Sequence, residues 1–350
     1  MTIIIDNIIT PYEIARYNEI NKVLKGRLEV WFQKGTYYPE ILFKYRILSK
    51  NPIMNTIFLK EFRSFNKIER IICCGWDSFV YLYAFLFSKI NKIRFTIWSG
   101  STIYEHSFLR NIFHPLIKFI VSHSDDYIVY GTRAKEYLVK LGAEKQKIKI
   151  FLNSVDVEYF RQKVFKLRKS KNKLFNKYGL DRNDTVFAFI GQLIDRKGII
   201  ELLNGFSIAS MKNKNISLLI AGEGKLKNEI NDFIKEHAKI KIKLLGYLDY
   251  NRLPEVYAMS DALILPSKQE VWGLVVNEAL ASGIPVIVSR FAGSSVDLID
   301  EKSGEIIKEI TKDGVSDAIN KYLRKRKYTI SGELINKMKN ETYAKEVFTD

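Results

Sequence analysis

Two glutamates, Glu270 and Glu278, stand with seven residues between them in the segment Leu265 to Ser289, LPSKQEVWGLVVNEALASGIPVIVS. The segment leaves an apolar run, crosses a loop holding Glu270, enters a helical pattern near Gly273 and Leu274, and returns through Gly283 and Pro285 to a second apolar run. The first N–H groups of such a helix, together with the positive end of its dipole, suit an incoming phosphate. Gly273, with no side chain, lets that phosphate approach the backbone. Carboxylates accept paired hydrogen bonds from sugar hydroxyls. Together these groups fit a ligand with an anionic centre flanked by polyols. Further upstream, Phe189 to Gly198, FIGQLIDRKG, places Gln192, Arg196 and Lys197 at another turn, where a guanidinium can grip two phosphate oxygens. Gly222 and Gly224 in AGEGKL, and Gly293 before Ser294 and Ser295, are tight turns of the kind that admit a ligand.

The elements that must position these groups are legible in the second half. Apolar runs at Val186–Ile190, Ile216–Ala221, Ile242–Leu245, Ala262–Leu265 and Pro285–Val288 alternate with helical patterns at Ile199–Ala209 and Leu226–Ala238. That alternation predicts βαβ units and a parallel sheet, with Gly191, Gly222, Gly246 and Pro266 just past the strands' carboxyl ends, the edge where ligands bind. In the first half, strands are expected at Ile3–Ile5, Arg27–Phe32, Arg70–Cys74, Arg94–Trp98, Tyr127–Tyr130 and Ile148–Leu152. At 350 residues the chain exceeds one ordinary core, and two α/β domains are expected at 1–165 and 166–328, with a C-terminal helix over 329–350. The boundary falls in Arg161 to Lys177, which carries eight basic residues and no acid and reads as a solvated linker.

The whole of PSKQEVWGLVVNEALASGIPVI closely resembles the retaining glycosyltransferases of GT-B fold, whose donor motif is two glutamates at this spacing. The resemblance extends over about Asp125 to Ile306 and implies two Rossmann-like, doubly wound domains facing a cleft. It assigns Glu278 to the nucleotide ribose, Glu270 to the transferring sugar and Lys197 to the donor diphosphate. Where the family usually has Arg directly after the glycine, this chain has Gln192, and Arg196 is the residue that could replace the charge. Gly246 to Leu248 and Leu253 to Ser260 resemble the family's nucleotide-base wall, and Gly293 the turn facing the donor sugar. Asn153 and Asp156 match residues at the domain exit and read as turn caps. The last helix corresponds to a tail that in the family crosses back to the first domain.

The resemblance implies transfer of a hexose from a UDP- or GDP-sugar to a glycan or lipid-linked acceptor with retention, in cell-surface polysaccharide or lipopolysaccharide synthesis. Glu270, His106 and Lys197 are the candidate catalytic groups. His106, with Glu105 second, comes from WSGSTIYEHSFLR after a predicted strand, and a role as an ordinary loop residue stays equally open. Asp77 is a further candidate without a motif, and the family's glycine-rich first loop is replaced by Asp6 to Pro11. Fixed cations and helix amides stabilise the departing diphosphate in this reading, so no metal or other cofactor is expected.

The charge balance, 56 Lys and Arg against 39 acids for a net +17, favours anionic partners. The sole cysteines, Cys73 and Cys74, suit neither a disulfide framework nor a metal cluster and indicate a reducing cytosol. No export signal and no run of about 18 apolar residues is visible. A cytoplasmic enzyme resting peripherally on an anionic inner membrane fits, with Phe108 to Val121 as apolar face and Arg110 and Lys118 meeting headgroups; a buried helix fits that pattern equally. Two rivals stand beside the transferase: a sugar-nucleotide epimerase of the same fold, and a basic nucleic-acid-binding protein, for which no recognised motif or stacking platform occurs.

Overall fold

The computed structural model describes residues 1–35, 40–48, 62, 67–105, 112–325 and 327–349. The chain divides into two compact units, one of residues 1–155 with 339–350 and one of residues 156–338. Among the described residues the first unit holds seven strands: β1 (Thr2–Ile8), β2 (Leu28–Lys34), β3 (Lys44–Ile47), β4 (Arg70–Cys73), β5 (Arg94–Ser99), β6 (Asp126–Val129) and β7 (Ile148–Ile150). They pair in parallel in the order β3-β2-β1-β4-β5-β6-β7.

Both faces of this sheet are covered, which is why its strands read as continuous apolar runs. Ile3, Ile5, Ile71, Cys73, Phe95, Ile97, Tyr127 and Val129 point to one face. There they form a core with residues of the helices Phe79–Ile90, His114–Ser122 and Thr132–Lys140. The alternate residues meet the helix Pro11–Val23 and the last helix, Asn340–Phe348; Trp98 packs on Tyr17, Phe151 and Phe348. Cys73 and Cys74 accordingly lie on opposite faces, Cys73 in the core and Cys74 with its Sγ 3.5 Å from the Tyr17 hydroxyl.

The second unit has six strands among the described residues: β8 (Thr185–Ile190), β9 (Ile216–Ala221), β10 (Ile242–Gly246), β11 (Ala262–Leu265), β12 (Val286–Ser289) and β13 (Gly304–Ile307). All pair in parallel in the order β10-β9-β8-β11-β12-β13. The helices Ile199–Lys212 and Lys312–Lys325 pack together over Phe187, Phe189, Ile264 and Ile287. In each sheet the strand order reverses once, between β1 and β4 and between β8 and β11. Such switch points open a crevice at the strands' carboxyl ends.

Three sequence expectations change. Arg161 to Lys177 is no linker: it lies in the second unit, across the helices Val157–Arg168 and Lys171–Tyr178. Val157, Phe160 and Val164, then Leu174, Phe175 and Tyr178, recur at helical spacing and are buried, while the cations occupy the remaining positions. The units therefore divide at 155/156, and residues 329–338 stay in the second. β13 and β3 were not foreseen. Asp156 caps a helix, accepting from the Tyr159 N–H at 2.9 Å, and Asn153 takes a hydrogen bond from the buried Arg16 guanidinium.

Candidate functional site

The turn after β8 and the loop after β11 flank the switch point of the second sheet, and they are laced together. The Lys268 N–H donates to the Arg196 carbonyl at 2.9 Å, and the Arg196 Nη1 donates to the Gln269 carbonyl at 2.9 Å. The Lys268 ammonium pairs with Asp195 at 2.7 Å and with Glu201 at 2.8 Å. Within this frame Lys197 and Glu270 form a close ion pair, with side chains only 14% and 10% exposed. Ser267 donates to the same Glu270 oxygen at 3.2 Å. The two residues drawn from separate motifs thus meet directly.

Glu270 is held from the other side as well. Its carbonyl accepts from the Gly293 N–H at 3.2 Å, and Ser294 donates from Oγ to the Trp272 carbonyl at 2.7 Å. The loop then turns at Gly273, with φ +90°, where an added Cβ would lie 2.8 Å from Leu265 Cδ2 and 3.3 Å from Glu270 Cγ. Only glycine takes that path without strain, and it sets Leu274 at the start of the helix Leu274–Ala281. Inside the helix, Asn277 accepts from the Trp272 indole at 2.8 Å.

Glu278 occupies a different environment. It is fully buried and accepts a close hydrogen bond from Tyr257. The Tyr250 phenol is pushed up by burial and by the Glu278 charge; its ring stacks on Tyr159 at 5.1 Å. Phe160 meets Tyr250 and Tyr257 edge-on. This tyrosine cage was invisible in the sequence because its members come from three separate helical segments; a carboxylate on a buried helix face was the sole signal that donors must surround it.

The remaining assigned residues surround the switch point. Gln192 is exposed directly after Gly191. Gly222, with φ +149°, lies so close to that turn that an added Cβ would be 1.8 Å from the Gly191 carbonyl oxygen. Arg196, expected as a replacement cation, is committed to the Gln269 carbonyl and so also fixes the loop bearing Glu270. His106 and Arg110 lie outside the described residues.

In the first unit a cavity of about 700 Å³ opens at the β1/β4 switch point. Asn7, Asp77, Ser99 and Glu105 supply its polar lining; Trp76, Phe79, Leu82, Phe113, Leu116 and Ile117 supply its apolar lining. Glu105 caps its own turn, accepting from the Thr102 N–H at 2.8 Å. Adjoining it beside the helix Pro11–Val23 is a buried ionic cluster, unforeseen from the residues alone, that shares Tyr130 with the cavity lining. Arg16 donates to Tyr130 at 3.1 Å and lies 4.0 Å from Glu13, and Tyr17 donates to Asp6 at 2.5 Å. Burial lifts Glu13 to about 7 despite Arg16 and raises Asp6 despite the hydrogen bond from Tyr17. No group of His, Cys, Asp and Glu arranged to hold a metal occurs among the described residues, and none of their helices is long and apolar enough to cross a membrane.

Comparison with known proteins places these features in context. The family profile described as glycosyl transferases group 1 matches residues 170–345, half of the chain. An uncharacterized glycosyltransferase of Methanocaldococcus jannaschii is 24% identical over 210 residues, 57% of this chain and 50% of that one. The Escherichia coli UDP-Gal:alpha-D-GlcNAc-diphosphoundecaprenol alpha-1,3-galactosyltransferase is 30% identical over 176 residues, 49% of this chain and 44% of its own length. The chain thus spans about half the length of these two curated relatives. Among solved structures, Anabaena Alr3699/HepE in complex with UDP-glucose superposes with a TM-score of 0.72 at 15% identity, covering 99% of this chain and 95% of that one. At that identity the likeness shows the fold, GT-B.

Proposed function

The chain belongs to the glycosyl transferases group 1 family, and on that premise we propose that it moves a hexose from a UDP- or GDP-sugar to a glycan or lipid-linked acceptor, with retention of anomeric configuration. The observation that carries this reading is the Lys197–Glu270 pair at the switch point of the second sheet, beside the Gly273 turn and the start of the helix that bears Glu278. A largely buried lysine needs a counter-charge, and Glu270 supplies it. When the donor binds, its diphosphate takes over Lys197, and the released Glu270 carboxylate accepts hydroxyls of the sugar. The N–H groups at the start of the Leu274–Ala281 helix add to the stabilisation of the departing negative charge. Glu278 shares its carboxylate between Tyr257 and a ribose hydroxyl, and Arg196 holds the loop in register.

The cavity of the first unit is the acceptor site in this reading. Carboxylates and amides beside aromatic faces, as in Asn7, Asp77 and Glu105 with Trp76 and Phe113, suit a sugar presenting hydroxyls on its rim and C–H groups on its face. The bacterial galactosyltransferase named above, with its diphosphoundecaprenol-linked substrate, supports a lipid-linked acceptor, cell-surface polysaccharide synthesis and work at a membrane surface.

The test is direct. The purified chain is screened with UDP- and GDP-sugars by thermal shift, then given the stabilising donor and a diphospho-polyprenol-linked N-acetylhexosamine. An α-linked product from an α-linked donor, read by NMR, is expected. A β-linked product would overturn retention; the absence of stabilisation by every nucleotide-sugar would overturn the donor site.

A further inference from the structure

Tyr130 stands just past the carboxyl end of β6, partly exposed, and lines the cavity of the first unit. Behind it lies a buried cation. Arg16, fully buried on the helix Pro11–Val23, donates from Nη1 to the Tyr130 phenol oxygen at 3.1 Å, and its other Nη donates to Asn153. The guanidinium carbon is 5.0 Å from the Tyr130 ring centre and 5.5 Å from that of Trp98. A buried arginine is costly unless its donors meet strong acceptors, and carboxylates serve best. Here the near carboxylate, Glu13, stays 4.0 Å away, and one Nη donor goes to a neutral phenol instead.

That choice changes the phenol. With a lone pair taken by a cation, the oxygen is polarised and its own O–H becomes a stronger donor. Burial pushes the Tyr130 phenol up, so the proton stays on the oxygen. Among the described residues that O–H meets no acceptor, whereas the neighbouring Tyr17 donates to Asp6 and Tyr127 donates to the Val121 carbonyl. Asn7, on β1, is prepared in the same way: its Oδ1 accepts from Tyr81 and from Gln33, both at 3.0 Å, and its Nδ2 is left to donate. In the sheet β4 and β5 separate β1 from β6, so the two donors bracket the cavity instead of meeting at one atom.

We infer that Tyr130 donates a hydrogen bond to one oxygen of the acceptor sugar, and that Arg16 is its positioning residue, acting through the phenol without touching the sugar. The identity of the ligand as the acceptor rests on the role proposed above for the cavity. Tyr130 is then a specificity residue. A sugar lacking that oxygen leaves a fixed, polarised donor without a partner, and sites built in this way reject such analogues.

The test measures binding alone, by ligand-observed NMR on the full chain without nucleotide-sugar. The probes are methyl N-acetyl-α-glucosaminide and its monodeoxy analogues. One analogue is expected to bind the wild type about fivefold or more weakly than the parent, and Tyr130→Phe is expected to bind that analogue and the parent alike. Arg16→Met/Glu13→Gln, which removes the cation with the acid that faces it, shrinks the same difference and no other, and Arg16→Lys keeps part of it. Circular dichroism checks that each variant is folded; a merely structural role would weaken every glycoside equally. Equal losses across the series, or a Tyr130→Phe chain that keeps the full difference, overturn the inference and leave the acceptor cavity in place. Arg16 variants with the difference intact remove Arg16 from its role. A wild-type chain that binds none of the glycosides, while a UDP-sugar still stabilises it, overturns the inference together with the acceptor cavity, and the donor site stands.

Discussion

Replacing Lys197 with Met separates what the ion pair does for the fold from what it does for chemistry. The substitution keeps the volume and leaves the Glu270 carboxylate, 10% exposed, with Ser267 but no cation. Breaking a fully buried pair on one side costs about 3–5 kcal/mol. The residual exposure of both side chains lowers this to about 2–3 kcal/mol, or roughly 4–12 °C in the melting of a unit of this size. In Lys197→Met/Glu270→Gln the stranded charge is gone, so most of that stability returns. Activity does not: without the cation the departing diphosphate loses a preorganised partner, a loss of about 100-fold or more in kcat. The assay is a double-mutant cycle in urea beside donor turnover for each variant. Additive destabilisation in the cycle would show that the two residues do not act as a pair, and full turnover by Lys197→Met would remove Lys197 from the diphosphate grip.

Two further outcomes follow from other parts of the structure. Gly222→Ala puts a methyl group 1.8 Å from the Gly191 carbonyl at a φ disfavoured for alanine, so the turns beside the switch point must part; donor-induced stabilisation is expected to vanish and the variant to melt lower, checked by thermal shift with and without UDP-sugar. Glu13, 17% exposed and lifted to about 7 from an ordinary carboxyl, binds its proton more tightly in the folded chain than in the unfolded one. Its contribution is therefore fully present at low pH and lost as pH rises from about 4.5 to 7, at most about 3 kcal/mol. Urea titrations of Glu13→Gln should show that slope flattened and the first unit more stable at pH 8; an unchanged pH profile would contradict the assignment.

The donor half of the site was legible because its residues are local. Glu270, Gly273 and Glu278 share one strand–loop–helix segment, and Lys197 sits at the matching position after a neighbouring strand, so a parallel-sheet reading brings them to one edge. The Glu278 environment was illegible for the opposite reason: Tyr159 and Tyr257 are distant in sequence and each looks like an ordinary amphipathic residue. β13 escaped notice because Gly304 opens it and Glu305 interrupts its apolar run. That buried carboxylate is tolerated through Lys321 at 2.5 Å and the Tyr328 hydroxyl at 2.8 Å, which also hold it below the usual carboxylate range. Charge likewise hid the helices of Arg161 to Lys177, where the apolar period lies beneath the cations. The first unit's cavity joins the ends of several strands with residues of two helices, a grouping that no local pattern announces.

The helix Asn340–Phe348 belongs to the first unit, although 183 residues of the second, 156 to 338, intervene. Its Tyr343 ring lies 5.5 Å from Phe151, its Phe348 ring 6.3 Å from Trp98, and the Arg70 guanidinium covers Phe348. During vectorial synthesis the first sheet emerges early, yet one side of its aromatic core stays open until the helix Asn340–Phe348 has left the ribosome. The second unit is contiguous and can close before that. The order of completion is thus the reverse of the order of translation.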